Sequence, residues 1–183
     1  MSEVSISVHF LGLSHEETRE LLASVGAHGR IVATNERWTC VVPFEEEEVT
    51  EIALAAPRIA LLWVYAADYA LTLSFFQARH PLGEVSIVWH RELSDRPGAP
   101  ASAELLDVLA RRGALSLENT KRFAELARGE ATALKAREIR DQAAALFGLA
   151  AYEWLSPRGC LDTSIEVMRE RFPDADDVEE EEV

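Results

Sequence analysis

The chain has 183 residues, 48% of them hydrophobic, and a formal net charge of −14. That size and apolar content suit one globular domain, or a domain with an extension, that folds without a metal or disulfide staple. The negative balance disfavours direct binding to nucleic acid or anionic lipid, which both require clustered Lys and Arg.

The acidity is uneven. Residues 1–90 carry five Arg against twelve Asp and Glu, residues 91–171 carry thirteen bases against thirteen acids, and the last twelve residues add seven acids and no base. The only cysteines, Cys40 and Cys160, lie 120 positions apart. Two such cysteines form no metal or disulfide framework and fit a reduced cytoplasm. The opening MSEVSISVHF has neither the basic segment nor the apolar run of a signal peptide, so a cytoplasmic location is expected.

Val4, Ile6, Val8 and Phe10 alternate with Ser5, Ser7 and His9, which predicts a strand with one wet face. Ser14 and Glu17 have the spacing of a capping box and open a helix over His15–Val25, with Gly26 as its left-handed stop. RIVATNERWTCVVPF predicts two strands around TNER, with Trp38, Cys40 and Val42 sharing one face. Glu45, Glu46, Glu47 and Glu48 precede a helix that Pro57 ends, and acids there oppose the positive end of the helix dipole.

The stretch from Ala60 to Phe76 carries only one charge, Asp68. A bilayer span needs about 20 apolar residues in helical form. Here Asp68 splits two strand-like runs, the first apolar on both faces as in an interior strand, the second alternating. ARHPLG predicts a turn, and Val85, Ile87 and Trp89 a further strand. The predicted fold class is α+β: a ferredoxin-like βαββαβ sheet extended by a hairpin and followed by a helical C-terminal part. The expected division is a sheet domain over 1–90, a Pro/Gly linker over 91–102, and a helical part over 103–172 packed on the sheet. A disordered acidic tail is expected over 173–183. Helices are predicted over 103–111, 117–128 and 130–147, each followed by glycine (Gly113, Gly129, Gly148), and a last one near Ser164–Phe172.

No chemistry-bearing motif stands out. The five histidines never fall into a metal spacing, so no metal is assigned. There is no glycine-rich phosphate loop and no GxSxG, so no cofactor and no catalytic residue are assigned. Cys40 alternates with apolar residues and is expected to be buried and inert. Cys160 sits beside Arg158 in sequence order, SPRGCLD, but the nearest histidine is seventy residues away. His9 and His90 lie opposite the apolar rows of their strands, where they could flank a polar patch with Asp68, Thr72 and Ser74. The four tryptophans read as core or as interface anchors.

ERWTCVVPF, LLWVYAADYALTLSFF and LFGLAAYEWLS together resemble a set of uncharacterised bacterial α+β proteins, over about residues 30–160. Related layouts occur among small acidic immunity and inhibitor proteins, a fold-level analogy. The resemblance implies no activity, and no catalytic residue is carried over from it.

Two functional readings follow. The first is a non-enzymatic, acidic, cytoplasmic protein-binding module (an immunity protein, inhibitor or regulatory adaptor) that meets a basic protein partner through Glu45, Glu46, Glu47, Glu48 and Glu51. The alternative is a small-molecule-binding or enzymatic domain with a pocket at the sheet–helix junction, built from Asp68, Tyr69, His90 and Cys160. Mimicry of nucleic acid by an acidic face and homodimerisation through a sheet edge remain open.

Overall fold

The computed structural model describes residues 4–68, 70–89, 98–129, 136–149 and 163–178. The first alternating run forms β1 (Val4–Leu11). Ser14 then caps α1 (His15–Val25): its hydroxyl accepts from the Glu17 amide, and the Glu17 carboxylate accepts from the Ser14 amide. Two end amides are satisfied reciprocally, as the spacing predicts. Gly26, at φ 65°, turns the chain out of the helix. β2 (Gly29–Thr34) and β3 (Trp38–Pro43) follow, joined by a turn in which the Asn35 side chain accepts from the amides of Arg37 and Trp38. A 3-10 turn over Glu46–Glu48 leads into α2 (Val49–Ala55).

Next comes a meander of β4 (Ile59–Ala66), β5 (Ala70–Gln77) and β6 (His80–Val88). Helices α3 (Ala103–Arg111), α4 (Leu117–Ala127), α5 (Ala136–Phe147) and α6 (Ile165–Arg171) follow, and β7 (Asp176–Val178) ends the described chain. Among the described residues, the seven strands form one sheet in the order β6-β5-β4-β1-β3-β2-β7, and every neighbouring pair is antiparallel. The protein is mixed α+β.

Helices cover both faces of this sheet, which explains the apolar run in β4: it lies between β1 and β5 and has no wet side. On one face, Val8, Phe10, Ile31, Val41, Ala60 and Leu62 pack against Leu21 and Leu22 of α1 and Ile52 and Ala53 of α2. On the other, Leu61, Trp63, Leu73, Phe75 and Val85 pack against Leu105, Leu109, Phe123, Leu126, Ala143 and Phe147 of α3–α5. Phe147 is the hub of that layer. Phe123 and Trp38 meet its ring edge-on at 5.0 and 6.4 Å, and the Trp38 indole N–H donates to its carbonyl at 2.9 Å. Trp38 and Trp63 are therefore core, and Trp89 is half-buried against Tyr65. No described helix is long and apolar enough to cross a membrane.

Two expectations change. The Ser5, Ser7, His9 row of β1 does not face water: the three are 5%, 0% and 1% exposed. Alternation identifies two faces but not which is wet, and this row shares its face with the layer under α3–α5. Residues 173–178, assigned by composition to a disordered tail, instead form a turn and the edge strand β7. Val178 and Ala175 are buried there.

Candidate functional site

The layer formed by α1, the 3-10 turn and α2 carries eight glutamates, Glu16, Glu17, Glu20, Glu45–Glu48 and Glu51, against two arginines, Arg19 and the adjoining Arg58. Seven of the eight are exposed. Glu48 is the exception: its carboxylate accepts from the His28 amide at 3.0 Å and lies 3.7 Å from the His28 ring, fastening the start of β2 to the turn. Arg19 is itself engaged with Asp176. The Glu17 carboxyl is held below the usual range by its bonds to the Ser14 backbone and side chain. The opposite layer is different in kind. The described residues of α3–α5, with the adjoining Arg112 and Arg128, carry seven cations against six carboxylates. The α1/α2 layer is thus strongly acidic and the described α3–α5 layer nearly balanced.

Of the residues expected to line an alternative pocket, Asp68 is exposed in the β4–β5 turn, while Tyr69, His90 and Cys160 lie outside the described residues, as does Trp154. His9 cannot join Thr72 and Ser74. Register places His9 on the face of Leu61 and Trp63, and Thr72 and Ser74 on the opposite one. The described junction between sheet and α3–α5 is filled by Trp38, Phe75, Phe123 and Phe147. An open surface groove of about 360 Å³ runs between α4 and α5, lined by Asn119, Arg122, Glu125 and Gln142 among others. No group of three metal-ligating side chains occurs among the described residues.

Sequence reasoning missed one constellation. His9 and Cys40 are register partners on β1 and β3, which puts the Cys40 Sγ 4.0 Å from His9 Nε2. The Ser7 hydroxyl shares that nitrogen at 2.9 Å, and Trp63 meets the imidazole edge-on. His9 Nδ1 is buried, with no hydrogen-bond partner among the described residues. Burial pushes the imidazole pKa down to about 3, so the ring is neutral. Only the pairing of β1 with β3 brings these residues together, and no local motif signals it.

Against known proteins the chain stands apart: no family model matches it, and neither a curated protein nor a solved structure does.

Proposed function

We propose that this chain is a non-enzymatic, acidic protein-binding module of the cytoplasm. It would act as an immunity protein, inhibitor or regulatory adaptor on a basic protein partner. The strand order β4-β1-β3-β2, with α1 and α2 on one face, supports reading the first six elements as a ferredoxin-like unit extended by β5 and β6. The observation that carries the functional reading is the charge asymmetry across the sheet. Glu45, Glu46, Glu47 and Glu51 are exposed carboxylates on one surface, next to Glu16, Glu17 and Glu20. Such a surface steers a positively charged partner and repels nucleic acid and anionic lipid.

The test begins with tagged protein and native-host extract at low salt. The wild type should retain one stoichiometric basic protein, and a variant with lysine at 45, 46, 47 and 51 should not. With that partner purified, the association rate should fall steeply as salt rises. Equal capture by both forms, or a rate indifferent to salt, would rule out the acidic layer as the binding surface.

A further inference from the structure

The sheet carries a third apolar cluster, small and set apart. Val32, Cys40 and Val42 meet Met168 of α6 and Ala175, with Ile165 and Phe172 at its margin. The polar row Ser5, Ser7, His9 lies on the same face, between these residues and the larger cluster under α3–α5. Residues 163–178 therefore pack on the sheet as a strap of their own, across the thiol of Cys40.

Charge fastens this strap. The buried Arg30 guanidinium is bidentate to Asp177, with Nε–Oδ1 at 2.5 Å and Nη2–Oδ2 at 3.0 Å, and its Nη1 donates to the Thr163 carbonyl at 2.6 Å. One side chain of β2 thus ties both ends of the strap. Asp176 pairs with Arg19 and, at 3.4 Å, with Arg169, and His15 lies 3.9 Å away. β7 itself matches only three residues of β2. Asp176 also borders a shallow, open depression of about 390 Å³, and at such an exposed position added salt screens its ion pairs.

Under the strap lies Cys40, and beside it on β1 lies His9. Among the described residues, the buried His9 imidazole has a nitrogen with no hydrogen-bond partner, an arrangement that is costly to maintain. While the strap is closed, desolvation keeps the imidazole neutral.

We propose that the α6–β7 strap is a detachable cover, clasped through Asp176 and Asp177, that gates Cys40 and His9 as a latent modification site for soft, thiol-directed electrophiles. Opening is a local unfolding of the strap, with the two large clusters intact. Water then reaches the pair and the imidazole regains its basicity. The S–H proton passes to the ring, leaving thiolate beside imidazolium. The thiolate forms a bond to the electrophilic carbon and the leaving group departs as an anion. The site is one of modification and goes beyond the protein-binding reading, on which it does not depend.

Labelling of the full chain by iodoacetamide, followed by mass spectrometry, tests this. Cys160→Ser leaves Cys40 as the one thiol. Labelling should quicken with salt. Asp177→Asn, which strips the buried arginine of its bidentate partner, should raise the low-salt rate at least about tenfold. His9→Gln added to that variant should slow labelling near neutral pH. Circular dichroism checks that the variants stay folded; if Asp177→Asn unfolds outright, the wild-type salt series decides. A rate that ignores salt and shares the urea dependence of global unfolding would overturn the gate. A rate unchanged by His9→Gln would overturn the role of the imidazole.

Discussion

Single residues carry two identifiable tensions. The β5–β6 hairpin turns through Ala78 and Arg79, at φ 47° and 68°, between the paired residues Gln77 and His80. A two-residue turn with both central residues left-handed suits Asn-Gly, because a Cβ in that region costs about 1 kcal/mol. Both side chains are exposed, so neither offsets that strain by packing. Arg79→Gly should raise stability in urea by about 0.5–1 kcal/mol, while Arg79→Ala, with the same backbone penalty, should leave it nearly unchanged. An equal response to the two substitutions would show that the turn is not strained. The second tension is His9. Its pKa is about 3 in the folded chain against an ordinary 6.5, and desolvation is the cause. The unfolded chain therefore takes up the proton first as pH falls. The stability contributed by the neutral ring is complete above pH 6.5 and declines toward pH 3, by about 1.4 kcal/mol per pH unit. Urea midpoints of wild type and His9→Gln across that range should diverge with this slope. Parallel curves would place water or charge beside the ring.

Elements differ in how far the sequence discloses them. The start of α1 was legible because a capping box is local: Ser14 and Glu17 are three residues apart and satisfy each other. Ser14→Ala should cost about 1 kcal/mol of stability, and loss of amide protection confined to the first turn of α1 would locate the effect. The glycine stops after α3, α4 and α5 were legible for the same reason, each being a backbone requirement at one position. β7 was not. Asp176 and Asp177 look like part of a charged run until Arg19 and Arg30, 157 and 147 residues earlier in the chain, are placed beside them. The buried face of β1 was not legible either, since Ser-x-Ser-x-His has the same period whether water or a helical layer lies above it. The candidate site divides likewise. The exposed glutamates could be read directly, because an isolated acidic run has few places to go. The Cys40–His9 pair could not, because it exists only through register.

At the scale of the whole molecule, the net charge of −14 is an incomplete description, because the sheet separates two layers of different character. The α1/α2 layer holds eight glutamates and two arginines, whereas the described α3–α5 layer is nearly balanced. A uniformly acidic sphere would attract cations from every direction, but this arrangement gives the field a face. The charges are exposed, so the effect is screened over about 8 Å at physiological salt and strengthens below it. An oligolysine peptide, which has no fold of its own to complement a surface, reports that field without assuming a partner. At low salt, its amide shift perturbations should gather on α1, the 3-10 turn and α2 and be sparse on α3–α5. They should fade together as salt is added. Replacing Glu45, Glu46, Glu47 and Glu51 by glutamine should weaken the binding and move what remains toward Glu16, Glu17 and Glu20. Perturbations spread evenly over both helical layers would mean that the molecule attracts basic ligands by its total charge alone, and the acidic layer would then lose its claim to be a binding face.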